Sequence, residues 1–264
     1  MIMAFLLFLN LSFIIRYSCV ILLIGGTFMK RILLKLSGEI LSDNGKNIDF
    51  DKTLELAKEI KEIADDGFQI GIVIGGGNFW RGKLNTYMDR ATSDYIGMLA
   101  TTMNALALGD AFKQIGHEVR VQTGIEMKQI AEFYIKDRAF HHFAKNRILI
   151  FGCGTGSPFF STDTAAALRA CEIKADYLVK ATKVDGVYDK DPMKYDDAKK
   201  YKNISYIDVL NHKLQVMDHT SISLCMEEHI PIYVFSILEK GNLKKLLHGK
   251  DVGTIIDDKK SELE

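Results

Sequence analysis

Lys35 closes a run of aliphatic residues and is followed at once by a turn, in Lys35-Leu36-Ser37-Gly38. An ammonium beside a glycine turn is placed to neutralise charge on a phosphoryl group in transit. Two more aliphatic runs empty into glycine, at Gly75-Gly76-Gly77-Asn78 and at Gly152-Cys153-Gly154-Thr155-Gly156. Glycine allows positive φ where a strand must turn toward a helix, and lets amide N–H groups approach an anion with no Cβ in the way. One such loop is commonplace; three point to a cleft for several phosphates at the carboxyl ends of a parallel sheet. Arg81 follows the triple glycine in Phe79-Trp80-Arg81-Gly82, and a guanidinium fork at a helix start suits phosphate oxygens. No Lys-Ser/Thr pair follows these glycines and their spacing misses GxGxxG, which disfavours both the Walker A and the dinucleotide-binding loops.

Each of these features also has a plainer reading. A triple glycine can be a tight turn, and a strand-end lysine can simply reach solvent. Asp163, in Thr162-Asp163-Thr164-Ala165, is explained by helix capping and the first-turn preference for acids alone. The polar segment from Thr182 through Lys183, Asp185, Gly186 and Tyr188 to Asp191-Pro192 reads as a solvated loop. Its position after a strand exit offers more: Tyr188 can pack on a nucleobase while neighbouring carboxylates reach ribose hydroxyls.

The elements that position these residues alternate. Residues 31–36, 68–74, 118–122, 147–151 and 176–181 read as strands. Residues 49–66 carry apolar positions at helical spacing, with Asp49 or Asp51 as the N-cap and Gly67 as the stop. Residues 91–115 form a long helix, 126–143 a helix of less definite limits, and 162–170 an alanine-rich one. Strands alternating with helices predict a mostly parallel sheet with helices on both faces. Residues 182–203 lack a long apolar run and read as a surface excursion. Helices near 205–211 and 220–228, a strand at 231–235, a helix after Gly241 and a last strand at 253–256 complete the chain. There is no internal repeat and no linker, so residues 29–264 read as one domain, its N-terminal half facing the acceptor and its C-terminal half the nucleotide.

Composition narrows the class. At 264 residues, 47% hydrophobic and 26% charged, the chain can bury a large core. Its formal charge is zero with Lys and Arg scattered, so no nucleic-acid-binding face is expected. Cys19, Cys153, Cys171 and Cys225 share no CxxC spacing and the histidines form no paired-ligand pattern, which predicts a reduced, cytoplasmic protein without structural zinc. Residues 1–28 are almost wholly apolar, with Arg16 their only charged side chain, and Met29 follows directly. A signal peptide or membrane anchor needs a basic region ahead of its apolar core, and Arg16 breaks the run short of about 20 residues. The expectation is therefore no membrane attachment and a start at Met29.

Taken together and in order, Lys35-Leu36-Ser37-Gly38, residues 74–82, Gly97-Met98-Leu99-Ala100, residues 154–163 and residues 181–186 resemble the bacterial UMP kinases (uridylate kinases) of the amino acid kinase superfamily. The resemblance covers roughly residues 29–256. It implies a three-layer αβα sandwich on a mostly parallel central sheet and Mg²⁺-dependent transfer of a phosphoryl group from ATP to UMP. It further implies a homohexamer in the cytoplasm that serves pyrimidine nucleotide (CTP) synthesis under allosteric control. By position it assigns Lys35, Leu36, Ser37, Gly38, Gly77, Arg81, Thr182, Tyr188 and Asp191 to ATP. Gly76, Asp94, Thr155, Gly156, Ser157, Pro158, Phe159, Phe160, Ser161 and Thr162 go to UMP. Lys35, Arg81, Asp163 and Lys183 are the catalytic set it implies, with Asp163 organising the lysines and Mg²⁺ carried by the nucleotide phosphates rather than by protein ligands.

The chain departs from that pattern in two places. Ser42-Asp43-Asn44-Gly45-Lys46 is shorter than the glycine-rich stretch tied to GTP activation in many relatives, and Ser157 stands where some carry Asn beside the pyrimidine. Serine keeps a donor and an acceptor on a shorter arm. Competing readings are a kinase of the same fold acting on a carbamate or carboxylate, a non-catalytic nucleotide sensor, and a membrane-tethered protein using residues 1–28.

Overall fold

The structure, a computed structural model, describes residues 30–43, 45–82 and 87–264. The extension 1–28 and Asn44 of the shortened stretch lie outside them. The chain runs β1 (Arg31–Leu36), a 3₁₀ turn (Gly38–Leu41), α1 (Phe50–Asp65), β2 (Gln69–Ile74), α2 (Arg90–Gln114), β3 (Val119–Thr123), β4 (Glu132–Phe133), α3 (Lys136–Phe143) and β5 (Ile148–Gly152). It continues through α4 (Thr162–Glu172), β6 (Tyr177–Thr182), β7 (Val187–Tyr188), β8 (Lys200–Ser205), α5 (Tyr206–Asn211) and α6 (His219–Glu227). β9 (Ile232–Ser236), α7 (Asn242–Leu247), β10 (Thr254–Asp257) and β11 (Glu262–Leu263) end it.

Central strands of a sheet covered on both faces must be apolar on both, which is why β1, β2 and β5 are nearly unbroken aliphatic runs. The sheet order is β11-β8-β10-β9-β6-β1-β2-β5-β3-β4, with β7 paired to β8. From β9 to β4 every pairing is parallel, while β10 runs antiparallel to β9, and β7 and β11 antiparallel to β8. Alternate residues of each strand serve opposite layers. Leu33 and Leu178 pack with α3, α4, α5 and α6, whereas Ile32, Leu34, Leu36 and Val179 pack with α1, α2 and α7. The three-layer sandwich expected from the sequence is the observed fold. Because β1 lies between β2 and β6, the chain reverses direction across the sheet there, and the loops leaving β1, β2, β5 and β6 open on one side.

The alternatives for the first helix resolve to Asp49, whose side chain accepts from Lys52 N, and Gly67 ends the turn at φ +95°. Two expectations need correction. Residues 126–143 are not one helix: a turn at Met127–Ile130 precedes the short strand β4, and only Lys136–Phe143 is helical. Glu132 is held at the sheet edge by Gln122 and His142, and Ile130, Phe133 and Ile135 remain exposed, so no continuous apolar face exists to bury a longer helix. Residues 182–203 are likewise not all loop, since β7 and β8 form an antiparallel pair that extends the sheet. Only Tyr201 and Ile204 of β8 are buried, so a strand paired with β10, β7 and β11 carries neither an apolar run nor a regular alternation. Arg81 follows the turn at Gly77–Phe79, and α2 starts at Arg90.

The loops are bolted to one another. Asn104 of α2 donates to Gly75 O and to Asn78 Oδ1, and Asn78 returns a bond to Asn104 and one to Asn47 O. Gly38 presses into this junction so closely that a Cβ there would lie 2.4 Å from both Asn78 Oδ1 and Gly75 O. Gly38→Ala is therefore expected to destabilise the fold by about 1–3 kcal/mol, read as a lower denaturation midpoint at unchanged slope.

Candidate active site

Strand parity and register create the central feature. Lys35 of β1 and Lys180 of β6 are direct partners across a parallel pair and share the face that carries α4. Two ammoniums side by side repel, and the first turn of α4 supplies the counter-charge. Asp163 Oδ1 lies 2.7 Å from Lys35 Nζ, an ion pair rather than an aligned hydrogen bond, and Oδ2 lies 3.0 Å from Lys180 Nζ. The three side chains are 12–18% exposed. Burial pushes the Asp163 carboxyl up, but Lys35 and Lys180 outweigh it and hold it below the usual carboxylate range. Burial first, and then Lys35, push Lys180 down against the pull of Asp163. The net result is one excess positive charge at the mouth of a cleft.

Asp163 is placed by a nest of caps. Ser161, not Thr162, is the N-cap of α4, accepting from the amides of Asp163 and Thr164. Ser161 and Thr164 donate in turn to Asp218, which itself caps α6 by accepting from Ser221 N at 2.8 Å. Lys180 also donates to Val216 O.

A second charge cluster stands at the lip of the cleft. Glu39, in the turn begun by Ser37, accepts from Arg81 and, at 2.9 Å, from Lys183. The Lys183 hydrogen bond, with Arg81 behind it and against burial, holds the Glu39 carboxyl below its ordinary range. Arg81 and Lys183 are thus brought together by a residue that the sequence did not single out, separated from them by 42 and 144 positions.

A cavity of about 310 Å³ on the α2 side is lined by Lys35, Ser37, Gly38, Gly76, Gly77 and Asp94, and by Thr155, Ser157, Phe160, Ser161 and Thr162 from the loop after β5. That loop hangs on α2 through Cys153 N and Thr101 Oγ1, 2.8 Å apart. It turns back on Gly124 so tightly that Gly156, at φ +85°, has no room for a Cβ, which would lie 2.5 Å from Gly124 O. A second cavity, about 620 Å³, is lined by Lys180, Thr182, Tyr188, Asp191 and the segment 212–216. Tyr188 donates to Asp185 there, and Thr182 braces its own turn through Val184. A third hollow of about 820 Å³, lined by Lys35, Ser37, Lys180, Thr182 and Lys183, adjoins both. Leu36 turns its side chain into the core, leaving only its backbone toward the cleft, and Gly156, Pro158 and Phe159 do not line the smaller cavity.

The residues missed in the sequence were Lys180, Glu39, Asp218 and Arg90, which pairs with Asp94. Lys180 had a signal. Lys-x-Ser ends β1 and Lys-x-Thr ends β6, the same lysine two residues before a hydroxyl at each strand exit.

A sequence profile of the amino acid kinase family matches residues 30–236. The chain belongs to the amino acid kinase family. Among solved structures, this member of the family is similar to a UMP kinase from Bacillus anthracis, with 40% identity and a TM-score of 0.86 over 89% of this chain and 98% of that one. A UMP kinase from Ureaplasma parvum matches at 35% identity and TM-score 0.83, covering 87% and 99% of the two chains. A uridylate kinase from Archaeoglobus fulgidus matches at 28% and 0.65, covering 86% and 100%.

The charge arrangement of this amino acid kinase predicts two pH effects. A carboxyl with a depressed folded pKa stabilises the fold above its unfolded value near 4 and loses that contribution as pH falls through the folded value. Asp163→Asn should therefore flatten the acid limb of unfolding free energy against pH, and lower kcat on the order of 10²-fold. With Lys180 depressed, the alkaline limb of kcat should begin below the ordinary lysine range, and Lys180→Arg should move it upward.

Proposed function

We propose that the protein transfers the γ-phosphoryl group of ATP to UMP, giving UDP and ADP. The observation that carries the reading is that a nucleoside-sized cavity lined by Lys180 and a smaller one lined by Lys35 are joined by a hollow that both lysines line, where they lie side by side on β6 and β1. The likeness to UMP kinases over nearly the whole described chain supports UMP as the acceptor. Thr182, Tyr188 and Asp191 hold the adenosine, while Ser37, Gly38, Gly77 and the Leu36 backbone approach its phosphates. Asp94, Gly76 and, from the loop after β5, Thr155, Ser157, Phe160, Ser161 and Thr162 hold UMP. Lys35 and Arg81 take the transferring group. The second phosphate lysine is Lys180 rather than Lys183, because Lys180 shares the Asp163 carboxylate with Lys35.

No strong base is needed. A phosphate monoester is already largely ionised near pH 7, so the barrier is the approach of two anions in line, met by positioning and by cations. The donor set fits a metal that arrives with the nucleotide, since the buried Asp163 carboxylate is already engaged by two ammoniums. Mg²⁺ bound to the triphosphate would neutralise charge on the β- and γ-oxygens. Lys35 and Lys180 would orient those oxygens, and the glycine-loop amides would fix their direction. Residues 29–264 act as one unit with an acceptor-facing N-terminal part and an ATP-facing C-terminal part. A cytoplasmic homohexamer in pyrimidine nucleotide synthesis is the setting that the resemblance implies. Among the described residues no helix is long and apolar enough to cross a membrane.

A coupled ADP-release assay tests the reading. Turnover is expected with UMP and not with carbamate, acetylglutamate, glutamate or aspartate. Addition of GTP or UTP reports any allosteric control. Lys35→Ala should abolish turnover in a protein that still folds, with a lower melting temperature from the broken Asp163 pair; turnover that survives Lys35→Ala, or that prefers a carboxylate, contradicts it.

A further inference from the structure

Arg90 is the first residue of α2, behind the N-cap Asp89. One turn on is Asp94; both residues line the acceptor cavity, and Arg90 Nε donates to both oxygens of Asp94, at 3.1 Å to Oδ1 and 2.9 Å to Oδ2. Oδ2 also accepts from the amide of Phe159, at 2.8 Å across 65 positions of sequence. Phe159 stands at φ +72°, a left-handed conformation that costs an L-residue about 1–2 kcal/mol, and its ring lies 5.9 Å from the Arg90 guanidinium carbon. A strained residue persists where its surroundings over-determine it. Here the surroundings are one carboxylate and the arginine that aims it. A carboxylate has roughly four acceptor sites; with three engaged, what remains for a ligand is fixed in direction.

Resting on the UMP reading, we propose that Arg90 is a positioning residue for the acceptor nucleotide. It holds Asp94 in one orientation toward the acceptor cavity and, through Asp94, pins the Phe159 segment of the loop between β5 and α4. Arg90 is itself half exposed and packs in no core cluster, so its loss should leave the fold intact.

The test is steady-state kinetics of Arg90→Gln and Arg90→Lys, with each substrate varied in turn. Arg90→Gln is expected to raise the KM for UMP about tenfold while kcat and the KM for ATP stay within about twofold, a loss of acceptor binding alone. Arg90→Lys, which keeps the charge but not the fork, should show the same split at smaller size, and it decides the matter if Arg90→Gln fails to fold. Because Arg90 acts through Asp94, the double variant Arg90→Gln/Asp94→Asn should be no worse than Asp94→Asn alone. Parallel rises in both KM values, an unchanged KM for UMP, or additive losses in the double variant overturn the proposal. Wild-type protein that makes no UDP at all overturns the UMP reading instead.

Discussion

Two ammoniums cannot be kept side by side at a strand exit without an anion between them, and that constraint organises the functional half of this molecule. Lys35 and Lys180 are neighbours because β1 and β6 pair in parallel and in register, and they face one layer because each has the parity of the inward-facing Leu33 and Leu178. Their mutual repulsion is on the order of a few kcal/mol at an effective dielectric near 20. Asp163 relieves it from the first turn of α4, where the helix N-terminus also favours a negative charge. What the cleft gains is a fixed pair of cations with one charge to spare.

Much of the surrounding structure keeps that carboxylate in place. The loop after β5 must turn tightly enough to start α4 above the ends of β1 and β6, which explains Gly156 against Gly124 and the anchor from Cys153 to Thr101. Asp218 couples the start of α4 to the start of α6 through Ser161 and Thr164. The carbonyl of Val216, on the segment just before α6, completes the surroundings of Lys180. The lip, with Glu39 between Arg81 and Lys183, is built differently. Its cations are on exposed stems and exchange partners at low cost, as side chains that must follow a ligand do.

The parts legible in the sequence were those with local causes. Aliphatic runs ending in glycine marked β1, β2 and β5 with their loops, and spacing with an acid cap marked α1. Lys35 stood out because nothing apolar explains a lysine at the end of a buried strand. Other parts depend on pairing and could not be read locally. Asp163 looks like a capping residue until β1 and β6 are adjacent, and Glu39 acquires meaning only from partners far along the chain. β8 was hidden because only Tyr201 and Ile204 in it are buried, too few and too irregularly spaced to mark a strand, and the stretch 126–143 looked helical because its apolar residues, several exposed in the fold, suggested a buried face that is not there.

The most direct measurement of the central claim is a crystal structure of the protein with UMP and a non-hydrolysable ATP analogue bound together. The account predicts the γ-phosphate against the Lys35 and Lys180 ammoniums, still bridged by Asp163, with the acceptor oxygen about 3–3.5 Å from the phosphorus and in line. Phosphates lying away from both lysines, with the acceptor on the far side of Asp94, would contradict it.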